Sequence, residues 1–164
     1  MKPIFIFYFF VVSSTCFSQE TIAGILKLHN KQSVTYINVN NLIKGNNYIF
    51  LDTREPNEYN VSHVPTAINI GYNNFKNSKI KNIISNKNAP IVVYCTIGIR
   101  SEKIGEKLIK LGYTNVQNLY GGILEWKNQN QNVVDANNKK TENVHTFSKE
   151  WSQYLKSGTA VYEK

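Results

Sequence analysis

Past the first eighteen residues, two stretches of the chain run apolar without alternation, at 48–51 and 91–94. Short unbroken runs of this kind, rich in Ile, Val, Phe and Tyr, predict strands buried on both faces. Another strand is predicted at 113–119, centred on Val116. Weaker strand patterns lie at 33–37 and, beyond Pro65, at 67–70. Between the runs the apolar period changes to that of a helix. Ile80, Ile83 and Ile84 follow Phe75 and predict a helix over 74–85. Ile104, Leu108 and Leu111 make a stripe over 101–111, and Gly112 stands where a helix turns out of its last carbonyls. Ile22, Ile25, Leu26 and Leu28 form a weaker stripe. Shorter helical pieces are predicted at 41–44 behind Asn40, at 55–59 with Pro56 at its start, and at 123–127 after the tight turn Tyr120-Gly121-Gly122.

Strands and helices in alternation at this spacing predict an α/β fold, a small parallel β-sheet covered by helices on both faces. The pattern divides the chain into a leader at 1–18, an N-terminal segment at 19–33, one domain at 34–128 and an extension at 129–164. Within the extension, 130–143 is polar and loop-like. Phe147, Trp151, Tyr154 and Leu155 then recur at helical spacing, which predicts a C-terminal amphipathic helix folded back on the domain.

The leader begins Met1-Lys2-Pro3, runs apolar from Ile4 to Val12 and turns small and polar up to Ser18. That is the layout of a secretory signal peptide, so the protein is expected to be exported, periplasmic or secreted. The apolar run is too short to span a membrane, which takes roughly 20 residues. The alternative is a lipid anchor on Cys16, against which Thr15 argues.

The formal charge is +8, but the lysines are scattered. No dense basic run and no aromatic ladder appear, so no nucleic-acid partner is expected. A positive field still draws small anions toward a site. Of the two cysteines, Cys16 lies in the leader, and the mature chain would keep only Cys95. No internal disulfide is then possible.

The candidate chemistry sits at Cys95. A buried strand ends in this thiol, and a loop of Thr96, Ile97, Gly98 and Ile99 leads to Arg100, Ser101 and a helix. A helix start offers unpaired N–H groups and partial positive charge, which lower a thiol pKa and raise its nucleophilicity. The backbone N–H groups of this loop can wrap an anion, with Gly98 permitting the close approach or positive φ that such a cradle needs. Arg100 adds charge or anchors the loop, and Ser101 supplies a capping hydroxyl. Asp52 and Arg54, directly after the 48–51 strand, are either ligand-binding or paired with each other. His63 stands alone, without a second metal ligand at suitable spacing, and reads as structural. No metal or cofactor is called for.

Several motifs occur together and in order: Asp52-Thr53-Arg54-Glu55 with Glu58-Tyr59, His63-Val64-Pro65, Val93-Tyr94-Cys95 with Gly98 and Arg100-Ser101, Gly112-Tyr113, and Tyr120-Gly121-Gly122-Ile123 with Trp126. In these the chain resembles the rhodanese-like sulfurtransferases over about Val34 to Asn128. The resemblance implies a Cys95 nucleophile that takes sulfane sulfur from thiosulfate or a persulfide donor and passes it to a thiol or cyanide. It also implies a supporting role for Asp52 and Arg54 in bracing the active-site loop. The apolar loop wall at Ile97 and Ile99 suits a persulfide donor better than the thiosulfate dianion. Two rivals stand beside this reading. A cysteine phosphatase or arsenate reductase carries five residues between Cys and Arg, against four here. A non-catalytic binding module would have little use for the retained Cys95, Gly98 and Arg100.

Overall fold

The structure is a computed structural model that describes residues 20–45 and 47–163. The leader at 1–18, with Cys16, lies outside them. Among the described residues no helix is long and apolar enough to cross a membrane.

The elements in chain order are α1 (Ile22–His29), β1 (Tyr36–Ile37), α2 (Val39–Leu42), β2 (Ile49–Asp52), α3 (Pro56–Val61), β3 (Ile68–Asn69), α4 (Asn77–Ile83), β4 (Ile91–Tyr94), α5 (Ile99–Lys110), β5 (Val116–Leu119) and α6 (Gly122–Asn128). The five strands make one parallel sheet in the order β1-β5-β4-β2-β3. β4 is its centre, and none of its four residues reaches solvent. Alternate β4 residues serve opposite faces. Val92 and Tyr94 pack with Ile25, Leu42, Ile123 and Leu124 under α1, α2 and α6. Ile91 and Val93 pack with Ile80, Ile104 and Leu108 under α4 and α5. Burial of each aliphatic side chain of this strand contributes about 1.5–3 kcal/mol. The register sets Asp52 of β2 beside Tyr94 of β4. Both strands therefore end level, at the carboxyl edge where parallel sheets place ligands.

Most departures from the pattern are shifts at element ends. α2 starts at Val39 behind Asn38 rather than behind Asn40, and α4 is shorter at both ends than 74–85. α5 starts at Ile99, two residues before the predicted 101, with Gly98 at its N-cap and no side-chain cap. Ser101 thus lies inside the first turn rather than at the cap position expected for it. His63 stacks on the Tyr59 ring at 3.8 Å and exchanges both backbone hydrogen bonds with Val134.

The extension departs further. Its polar stretch contains a hairpin, β6 (Val133–Val134) against β7 (Lys140–Thr141). β8 (Asn143–His145), α7 (Lys149–Ser152) and β9 (Thr159–Val161) follow, with β8 and β9 parallel. The predicted C-terminal amphipathic helix shrinks to the single turn of α7. Trp151, Tyr154 and Leu155 do pack on the core. Their spacing is met by i→i−3 turns, and the side-chain amide of Asn128 takes the Tyr154 carbonyl at 2.9 Å and the Lys156 N–H at 2.6 Å. Those are backbone groups that a longer helix would pair internally, so the helix stops there.

Candidate active site

Cys95 follows β4 directly and is buried. The loop after it is held from outside by its carbonyls. Cys95 and Thr96 carbonyls accept from the first N–H groups of α6, Ile123 at 3.0 Å and Leu124 at 3.2 Å. The Gly98 carbonyl accepts from Asn118 Nδ2 at 2.8 Å and Asn30 Nδ2 at 2.9 Å. A peptide unit is planar, with C=O and N–H opposed. Fixing these carbonyls therefore turns the N–H groups of Thr96, Ile97 and Ile99 away from α6, Asn118 and Asn30. Two glycines make the arrangement possible. Gly98 has φ 114°, a left-handed value that a side chain would strain. A Cβ on Gly122 would lie 2.4 Å from the Cys95 carbonyl oxygen, so only glycine lets α6 come this close.

The thiol sits at the head of α5. Gly98 N–H points to Sγ at 3.1 Å. The Ser101 hydroxyl lies 3.5 Å from Sγ and 2.7 Å from Asn118 Oδ1. It has one proton, and the shorter contact to Asn118 takes it at rest. Ser101 is thus a side-chain neighbour of the thiol rather than a helix cap. Burial is the largest influence on Cys95 and pushes its pKa up. The Arg100 charge, the Ser101 hydroxyl and the N–H groups of Ser101 and Gly98 together outweigh it, and the thiol ends below its ordinary value.

Arg100 does not stand free at the rim. Its guanidinium grips Glu58 with two bonds of 2.7 Å and also donates to Thr96 Oγ1 at 3.0 Å. Glu58 comes from α3, where it forms a capping box with Glu55, and its carboxylate accepts the Glu55 N–H at 3.0 Å. Burial raises the Glu58 pKa, but the Arg100 bonds and charge overcome it and hold the carboxyl below its usual range. His145 of β8 lies 3.9 Å from Glu58 and accepts the Phe147 N–H at Nδ1. Phe147 covers the Arg100 guanidinium at 5.0 Å. It adopts φ 71° and remains 54% exposed. Such a backbone costs about 1–3 kcal/mol in a residue other than glycine.

Asp52 and Arg54 pair with each other, fully buried at 2.6 Å. Arg54 also donates to the Ser62 carbonyl at 2.6 Å and lies over the Tyr94 ring. No hydrogen bond joins this pair to the loop from Cys95 to Ser101. Among the described residues no group of three or more His, Cys, Asp or Glu is placed to hold a metal ion.

A cavity of about 170 Å³ opens onto Cys95. Thr96, Ile97, Ile99 and Arg100 line one side, and Phe147 and Trp151 of the extension line the other. Sequence reasoning missed five participants. Glu58 was part of a motif but carried no role. Asn30 and Asn118 belong to no motif, and nothing in the chain order brings them to Gly98. The aromatic spacing of Phe147 and Trp151 signals packing and says nothing about which face they cover.

Comparison with known families matches residues 35–129 to the rhodanese-like domain. A tRNA uridine(34) hydroxylase from Hamiltonella defensa subsp. Acyrthosiphon pisum (strain 5AT) is 30% identical over 139 residues, covering 83% of this chain and 37% of that protein. Another, from Pelagibacter ubique (strain HTCC1062), is 41% identical over 88 residues, covering 53% of this chain and 29% of that protein. The chain thus spans about a third of the length of these relatives. Among solved structures, the BH2092 protein from Bacillus halodurans aligns with a TM-score of 0.55 at 28% identity, covering 68% of this chain and 80% of that one.

Proposed function

Because the chain belongs to the rhodanese-like family, whose domain supports sulfurtransferase-type chemistry, we propose that it moves sulfane sulfur through a persulfide on Cys95. The observation that carries this is the Cys95 thiol at the head of α5, with its pKa lowered and loop N–H groups around it. The thiolate attacks the outer sulfur of the donor and breaks the donor's S–S bond. With thiosulfate, sulfite leaves with the bonding pair. The transferred sulfur stays on Cys95 as an anion that N–H groups stabilise. A thiol or cyanide then takes it and restores the thiolate. Asp52 and Arg54 support the site at a distance, by holding the end of β2 against the Ser62 loop.

Incubation with thiosulfate or a thiosulfonate, followed by intact mass measurement, tests this. One labile sulfur is expected on the wild type and none on Cys95→Ser. Absence of Cys95-bound sulfur with every donor would overturn the proposal and favour the binding module. The leader supports export, and N-terminal sequencing of protein recovered outside the cytoplasm checks it. A second reading, action on RNA, draws on the named activity of the relatives. Its test is binding of tRNA to the purified chain, and the scattered lysines rank it second.

A further inference from the structure

Given a sulfurtransferase at this site, a reading on which the following rests, we infer that the C-terminal extension selects the donor, and that the donor is a small organic sulfane-sulfur compound with an apolar carbon group, a hydropersulfide or thiosulfonate rather than inorganic thiosulfate. Three observations carry this. The first is the lining of the cavity beside Cys95, where Ile97 and Ile99 face Phe147 and Trp151. At about 170 Å³ it is close to the roughly 150 Å³ cavity that accepts one benzene ring, and it is smaller than sites for larger ligands.

The second is the charge state of the mouth. Among the described residues Arg100 is the one cation that lines the cavity, and Glu58 neutralises it through two bonds while Phe147 covers its face. A dianion entering here would shed water without gaining a free counter-charge. The third is Phe147 itself. A large aromatic is held half-exposed, in a left-handed backbone, by the bond from its N–H to His145. The core gains little from that placement, whereas an apolar ligand beside Cys95 would cover the ring. Phe147 and Trp151 also lie outside residues 35–129, so the domain alone does not supply this wall.

The step balances for either donor. The Cys95 thiolate attacks the outer sulfur, and the donor's S–S bond breaks. Its electron pair leaves with a sulfinate from a thiosulfonate, or with a thiolate from a hydropersulfide. In the second case the donor's proton stays on the transferred sulfur or passes to the leaving thiolate. No oxidant or reductant is needed.

The test compares kcat/KM for benzenethiosulfonate, methanethiosulfonate and thiosulfate, with cyanide as the common acceptor. The two thiosulfonates have the same charge, so their ratio reads the ring contact. We expect benzenethiosulfonate to be preferred about tenfold or more over methanethiosulfonate, and Phe147→Ala or Trp151→Ala to abolish most of that preference. Phe147 is half-exposed, so its variant keeps the fold even if the Trp151 variant does not. Glu58→Gln frees the Arg100 charge and should raise thiosulfate several-fold relative to methanethiosulfonate. A benzene-to-methane ratio near one, or one that Phe147→Ala leaves unchanged, would overturn the selection. Absence of Cys95-bound sulfur by intact mass with all three donors would instead overturn the sulfurtransferase reading beneath it.

Discussion

Two arginine–carboxylate pairs stand at the same edge of the sheet and do different work. Asp52 and Arg54 are neighbours in sequence, pair with no exposure at either side chain, and bond onward to the Ser62 carbonyl. Glu58 and Arg100 come from α3 and α5, and the arginine keeps 17% of its side chain in solvent at the cavity mouth. The first pair is locked between strand end and loop. The second meets the loop hydroxyl of Thr96 and the ring of Phe147 beside the thiol. The contrast teaches that an Arg beside a carboxylate is uninformative until its burial and its third partner are known. The water-free pair serves the fold, and the partly wet one sets the charge beside the thiol.

Breaking the pairs separately should separate these roles. Arg54→Ala leaves Asp52 charged and buried, and is expected to cost about 3–5 kcal/mol in chemical denaturation. Arg100→Ala should cost only about 1–2 kcal/mol, because Glu58 keeps the Glu55 N–H and water can reach the vacated guanidinium site. Equal losses would collapse the distinction.

Reactivity should follow the opposite order. Arg100→Ala removes the largest influence that lowers the Cys95 pKa. The pH profile of Cys95 alkylation should move to higher pH, because more alkali is then needed to form the thiolate, and the rate at neutral pH should fall several-fold. A profile left in place would refute the electrostatic role of Arg100. Asn118→Ala leaves the Gly98 carbonyl to Asn30 alone and frees the Ser101 hydroxyl to donate to Sγ. It should move the same profile the other way, to lower pH, by a smaller amount, and cost about 1–3 kcal/mol of stability as a buried amide is lost.

The smallest effect concerns the roof. Burial lowers the His145 pKa, with Glu58 and Glu163 opposing and Arg54 and Arg100 adding to it. A folded pKa below the unfolded value favours the neutral ring. Its contribution is complete above the unfolded pKa and is lost as pH falls through the folded one. Protonated Nδ1 can no longer accept the Phe147 N–H. The preference for benzenethiosulfonate over methanethiosulfonate should therefore weaken modestly between neutral and mildly acid pH. The ratio cancels the titration of Cys95, which both donors share. A pH-independent ratio would remove His145 from this role.

What the chain determined by itself is local. Unbroken apolar runs set β2 and β4, helical stripes set α4 and α5, and four residues between Cys95 and Arg100 set the size of the loop. These are legible because strand burial and helix periodicity depend on near neighbours. The positive φ of Gly98 was likewise anticipated by its residue type. Tertiary structure decided the rest. Asn30 and Asn118 reach Gly98 from 68 and 20 positions away, and Glu58 reaches Arg100 across 42. Hydrogen bonds between distant elements leave no periodic trace, since any polar residue in those places reads as surface. The extension shows the same limit. Its aromatic spacing fits a long helix, but Asn128 ends that helix by bonding its backbone groups. The sheet's geometry then lays Phe147 and Trp151 over Cys95, where spacing alone could only say that they pack somewhere.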